Sequence, residues 1–169
     1  MASSIIGYFQ ELNTLYVSTA VGVPLPSVRS RVIDAAHPTH AVELIPVRSA
    51  TLLTDSPSEL NFPASLIVDN IEANLAIAFV DGLGGTAQFS ATVEAYSTNG
   101  TRLAVGTFSN CAAGCTMIFL NNVLDQLGIP GTQVGRIRVV KNDGPGVPWG
   151  FLSTVDPSGS AAIAVGINP

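Results

Sequence analysis

Residues 87 to 108 read AQFSATVEAYSTNGTRLAVGTF. Within this stretch Phe89, Ala91, Val93 and Ala95 alternate with Gln88, Ser90, Thr92 and Glu94. A side-chain period of two buries one face of a strand and wets the other. The alternation stops at Ser97-Thr-Asn-Gly100 and resumes in Arg102-Leu-Ala-Val-Gly-Thr-Phe108. Asn-Gly accepts the left-handed backbone that tight turns between antiparallel strands require, so the segment predicts a β-hairpin. Asn99-Gly100-Thr101 also fits the glycosylation sequon, but a turn explains it better.

The same reading extends in both directions. Upstream, Ala73-Asn-Leu-Ala-Ile-Ala-Phe-Val80 is a strand with Leu75, Ile77 and Phe79 on one face, broken by Asp81-Gly-Leu-Gly-Gly85. Downstream, Val134-Gly-Arg-Ile-Arg-Val-Val140 alternates and puts Arg136 and Arg138 on the same side. Trp149 to Val155 and Ala161 to Val165 follow, bounded by Asn142-Asp-Gly-Pro-Gly146 and Asp156-Pro-Ser-Gly159. One short helix is expected at about Asn121 to Leu127. Asn121 or Asn122 would cap it, Val123, Leu124 and Leu127 would share a face, and Gly128 would stop it. Before residue 64 the pattern is looser. Leu15–Val21, Val28–Ile33 and Ala41–Ile45 read as strands between proline-rich breaks, while Ile5, Ile6, Tyr8, Phe9 and Leu12 fit a small amphipathic helix equally well. Short strands with turn signals between them predict an all-β sandwich of immunoglobulin-like or jelly-roll type. The expected organisation is a β-rich segment over 1–64, packed on or swapped into a sandwich module over 65–169.

The composition narrows the functions. Of 169 residues, 47% are hydrophobic and only 11% charged, which excludes a disordered acidic or basic tail. No uninterrupted apolar run is long enough to span a bilayer, so no membrane insertion is expected. Seven Lys and Arg, with Lys141 the single lysine, stand against 12 Asp and Glu, a net charge of −5. Nucleic acid is not the expected partner, because phosphate binding needs a basic footprint.

The order of elements from Ala73 to Val165 carries a resemblance. An apolar strand leads to SATVEAYSTNGTRLAVGTF, then to NNVLDQLGI, GRIRVV and GFLSTVDPSGSAAIAV. This run resembles an immunoglobulin-like β-sandwich module of secreted and cell-surface bacterial proteins, over slightly more than half the chain. The resemblance implies a fold and an extracellular habitat and brings no activity. The Cys111–Cys115 loop and the long N-terminal segment depart from it.

Cys111 and Cys115 admit two readings. They supply half of a tetrahedral thiolate site, with His37 and His40 as distant partners, or they close a short disulfide loop turned by Gly114. The low-charge composition favours the disulfide. The N-terminus lacks the basic and apolar regions of a signal peptide. Together with the cysteine pair and the scarcity of lysine, this sets the expectation of a secreted or cell-surface protein whose signal has been removed.

Other candidate residues are weaker. Asp34, His37 and His40 are metal-type side chains in one loop, but Pro38 turns it and paired surface histidines are commonly just solvated. Asn142-Asp143-Gly144 and Asp69-Asn70 offer calcium too few oxygens, and no metal or cofactor is expected. No nucleophile elbow, Ser-x-x-Lys or His-Glu-x-x-His occurs, so no enzyme is expected. Trp149 is either an exposed ring for a sugar or a protein, or a plug at the end of the core. Tyr8, Phe9 and Tyr16 form an aromatic cluster suited to a core or an interface.

The expected function is a non-enzymatic extracellular structural or adhesive module, contacting itself or another surface protein, with a homo-oligomer as its assembled form. A carbohydrate-binding module using Trp149 and a jelly-roll coat protein are the alternatives.

Overall fold

Glu94 faces Val105 and Ala91 faces Phe108 across an antiparallel pair, so the hairpin forms where the alternation places it. The computed structural model describes residues 30–33, 41–44, 58–63, 72–80, 88–110, 117–155 and 161–166. Among them the chain order is β1 (Ser30–Ile33), β2 (Ala41–Leu44), β3 (Glu59–Pro63), β4 (Glu72–Val80), β5 (Ser90–Tyr96), β6 (Arg102–Ser109) and β7 (Met117–Leu120). There follow α1 (Val123–Gln126), β8 (Arg136–Asp143), β9 (Val147–Val155) and β10 (Ala161–Val165). β1 and β2 pair as a two-stranded ribbon. The other strands form two antiparallel sheets, ordered β3-β8-β5-β6 and β10-β9-β4-β7. The fold is an all-β sandwich.

The hairpin loop is longer than a two-residue Asn-Gly turn. Tyr96 and Arg102 are the last pair, and a bulge sits between Ala95 and Tyr96. Gly100 takes φ 85°, and the Thr101 N–H donates to Ser97 Oγ and Asn99 Oδ1, both at 3.1 Å. The Asn99 side chain thus closes the loop, as asparagine does in Asx-type turns.

Register explains how one hairpin becomes two sheets. Ala91 faces Phe108, Leu75 faces Leu120, and Glu59 faces Val140. All three pairs are centred close to Asn99. The chain from β3 to β8 is therefore one long antiparallel double strand, doubled over so that β4–β7 falls in one sheet and β3–β8 and β5–β6 in the other. β9 and β10 then close the second sheet, with Leu75 opposite Leu152 and Ile163 opposite Ser153.

Between the sheets lies the core predicted from the alternation. Phe89, Ala91, Val93 and Ala95 meet Leu75, Ile77, Phe79, Leu152, Ile137, Val139, Leu60 and Phe62, all buried. Burying a Leu, Ile or Phe side chain contributes roughly 1.5–3 kcal/mol, so these residues dominate the stability of the sandwich. β3 and β7 are strands that the sequence pattern does not announce, and β3 lies inside the looser N-terminal segment while belonging to a sheet of the sandwich.

The helix is shorter than expected, and its start is built differently. Asn122 occupies the N-cap position at φ 46° without a side-chain cap bond. Its amide instead donates to Asp125 Oδ2 at 2.7 Å, and its backbone N–H donates to Asn74 Oδ1 of β4. The end follows expectation. Gly128 is left-handed at φ 74°, its N–H reaches Asp125 O, and the Ile129 N–H reaches Leu124 O. This doubly bonded glycine stop satisfies the last carbonyls of the helix.

Candidate functional site

The outward side of the β3-β8-β5-β6 sheet carries the main cluster of ionised groups. Glu94 lies on a solvent-side position of β5, yet it is only 6% exposed. Three donors cover it: Tyr96 Oη at 2.8 Å, Arg102 Nη1 at 3.0 Å and Arg138 Nη1 at 3.0 Å. Arg138 turns its other edge to Glu59, with Nε 2.8 Å from Oε2 and Nη2 on the same oxygen. Arg136 stacks over the Tyr96 ring, 4.5 Å from its centre. Each of the four strands contributes a charge, so the network ties the sheet from β3 to β6.

Ionisation follows from these contacts. Hydrogen bonds from Arg138 hold Glu59 below the ordinary carboxylate range. Burial pushes Glu94 up, but the bonds from Tyr96, Arg102 and Arg138 together outweigh it and leave Glu94 lowered. Glu59, followed by Glu94, raises Arg138 in return. Carboxylates held ionised by arginines are poor proton shuttles at neutral pH, and this arrangement fits a structural brace.

β6 is the outer strand of the same sheet. Its solvent-side residues Leu103 and Val105 are exposed, Val105 by 53%. Arg102 is its only charged residue. Edge strands are commonly guarded by lysine, proline or inward charges. The single lysine guards no edge here, since Lys141 lies on β8, donates to Gly146 O at 2.6 Å and sits 5.4 Å from the Phe79 ring centre.

The other sheet is different on its outward side. Register places Ala76, Ala78, Trp149 and Phe151 there, opposite the core-facing Leu75, Ile77 and Leu152. Phe119 of β7 faces Ala76 on the same side. Trp149 is half-buried and meets Phe151 edge to face at 5.9 Å, and its indole N–H is buried without a hydrogen-bond partner among the described residues. The ring thus stands on the outward side of β9, and the core cluster does not include it.

The calcium candidate on β8 is used by the sheet itself. Asn142 Oδ1 accepts from Thr92 Oγ1 at 3.0 Å, and Asp143 Oδ1 accepts from Ser90 Oγ at 2.7 Å. Among the described residues no group of three or more metal-type side chains converges, and no helix is long and apolar enough to cross a membrane. Tyr8, Phe9, Tyr16, Asp34, His37, His40, Asp69, Asn70, Cys111 and Cys115 lie outside the described residues. The Glu59–Arg138–Glu94–Arg102 network escapes sequence reasoning, although Arg136 and Arg138 on one side of β8 were a signal that acids must stand opposite.

Comparison with protein-family models, with characterised proteins and with solved structures finds no match.

Proposed function

We propose that the chain is a non-enzymatic extracellular structural or adhesive module that works through protein–protein contacts, including contacts with its own copies. The observation that carries this reading is the β6 edge. β6 is an eight-residue edge strand with no strand paired to its outer side among the described residues, and it exposes Leu103 and Val105. Such an edge can accept another strand, with main-chain bonds supplying affinity and alternate side chains supplying register. The ionised cluster supports the non-enzymatic part, because its carboxylates are locked to arginines across a sheet face.

Light scattering of the intact chain over a wide concentration range tests the reading. Self-association is expected, and Val105→Lys is expected to weaken it about tenfold or more while leaving thermal stability within about 0.5 kcal/mol, as for an exposed position. A chain that stays monomeric throughout, or a Val105→Lys variant that associates equally well, refutes it.

A second reading is favoured by strand order. Pairs nested about a single turn, with the double strand divided between two sheets, are the pattern of a jelly roll, and that supports the jelly-roll type over the immunoglobulin-like one. Jelly rolls build shells as well as lectins, so a coat-type subunit is the alternative. Electron microscopy separates the two readings: closed shells favour the coat subunit, and filaments or small oligomers favour the adhesive module.

A further inference from the structure

One hydrogen bond fixes which way the main chain of β6 points. The Asn110 N–H donates to Phe89 O at 3.2 Å, one step beyond the Ser90–Ser109 pair. Bonded and non-bonded pairs alternate along an antiparallel ladder. Ala91–Phe108, Val93–Gly106 and Ala95–Ala104 are therefore the bonded pairs of the hairpin. The N–H and C=O groups of Val105, Thr107 and Ser109 turn the other way, to the outer side, where no strand is paired among the described residues. The side chains of Leu103, Val105, Thr107 and Ser109 are exposed. The core side of the strand is closed, since a Cβ on Gly106 would meet the Phe108 ring at 2.9 Å and Leu127 at 3.1 Å. What β6 offers is a strip of main chain in the plane of the sheet, beside two apolar side chains.

An incoming strand must turn its own main-chain groups outward at every second position and bring no charge that would be repelled. β6 of a second copy does both. Paired antiparallel about Val105, it sets Val105 against Val105 of the partner subunit and Leu103 against Thr107 of the partner subunit. Val105 is 53% exposed in the single chain, and this register takes it out of water against another apolar side chain. On the core side Ala104 then lies against a glycine, Gly106 of the partner subunit, so nothing collides. Centring the pair on Gly106 instead would oppose Val105 and Leu103 to hydroxyl side chains. Arg102 is the only charge on β6. The antiparallel sense holds the two Arg102 residues about 20 Å apart, well beyond the screening length of about 8 Å at physiological salt. β7, the outer strand of the other sheet, has four residues and would satisfy fewer of these groups.

Resting on the reading of the β6 edge given above, we infer that its partner is β6 of a second copy, paired antiparallel about a two-fold axis through Val105. The two four-stranded sheets join into one sheet of eight strands. Each edge closes the other, so association by this route stops at the dimer.

A residue on the axis meets only its own copy, and the test uses that fact in the full-length chain. Val105→Lys and Val105→Glu each set like charges face to face, and each is expected to weaken dimerisation about tenfold or more in sedimentation velocity. An equimolar mixture sets Lys against Glu and is expected to recover dimerisation to within about threefold of the parent, as a dimer of one copy of each in native mass spectrometry. A mixture that stays monomeric while the parent dimerises, or assembly that runs past the dimer, overturns the two-fold pairing but leaves the β6 edge in use. Single variants that associate as the parent does, or a parent that never associates, overturn the edge reading as well. Glu94 lies opposite Val105 and would oppose folding of Val105→Glu, so a second measurement avoids added charge. A spin label on p-acetylphenylalanine at the exposed Ser109 is expected to report a separation of about 27 Å between copies, eight positions at about 3.4 Å each. An associated protein with no separation between about 20 and 35 Å overturns the inference.

Discussion

Replacing Glu94 by glutamine tests whether the charge network holds the β3-β8-β5-β6 sheet. The side chain keeps its shape but loses its charge, and an amide N–H₂ must face an arginine or the Tyr96 hydroxyl. Hydrogen bonds to charged groups contribute about 1.5–3 kcal/mol, against about 1 kcal/mol for neutral ones. Arg102 is 57% exposed in its side chain, so its share is a few tenths of a kcal/mol at most after solvent screening. Arg138 is more enclosed and keeps Glu59, which limits its loss to about 1 kcal/mol. Adding a similar loss at Tyr96 gives about 2 kcal/mol in all, or roughly 4–8 °C in thermal midpoint for a chain of this length. Urea unfolding of parent and variant near neutral pH measures it, and Arg102→Gln serves as the control, with an expected cost under about 0.5 kcal/mol. The pH dependence adds a second signature. Glu94 and Glu59 are lowered from an ordinary value of 4.5 in the folded chain, so unfolding takes up protons. Their stabilisation is complete above that value and fades as pH falls through the folded values. The gap between parent and variant should therefore be constant from neutral pH to about 5 and narrow as the pH falls below 4.5. A cost below about 0.5 kcal/mol, or a gap that does not narrow in acid, refutes the reasoning.

Two further substitutions probe the core and the turn. Phe62→Ala empties a fully buried site facing the second sheet and should cost about 3–5 kcal/mol, read as a lower urea midpoint with little change in slope. Gly135→Ala would place a Cβ 2.5 Å from the Thr98 N and 2.6 Å from the Ser97 carbonyl, beside the 2.6 Å bond from the Gly135 N–H to Tyr96 O. An expected loss of about 1–3 kcal/mol, measured by thermal unfolding, reports that the hairpin loop packs against the start of β8.

The parts of the fold that local pattern encodes were legible in the sequence. β4, β5, β6, β8, β9 and β10 lie on runs long enough for a period of two to register, and Gly128 marked the end of α1. β3 and β7 did not register, β3 because its alternation runs for only four residues before a proline and β7 because its run does not alternate. ELNFP includes Asn61 and ends in Pro63, and MIFL is an apolar run without alternation. The pairing order was not legible either, since Glu59 finds Val140 through topology and nothing local announces it. The buried Glu94 was hidden for the same reason: its cover comes from arginines on two other strands. One signal for the outward apolar face was present in β4. Ala76 and Ala78 fall between Leu75, Ile77 and Phe79, a nearly continuous apolar run of the kind that strands buried on both faces display.

The doubled-over hairpin also sets an order of events in time. Its tip, Tyr96 to Arg102, closes a short loop, whereas β3 must wait for a partner nearly eighty positions away, as the Asn61–Arg138 pair marks. Loops close more slowly as they lengthen, and folds dominated by distant pairs form in milliseconds to seconds. On a ribosome that delivers about 5–20 residues each second, Leu60, Phe62, Leu75 and Ile77 emerge several seconds before β8 and β9 exist to cover them. During those seconds the nascent chain carries bare apolar strands, and a neighbouring copy in the same condition is their nearest substitute.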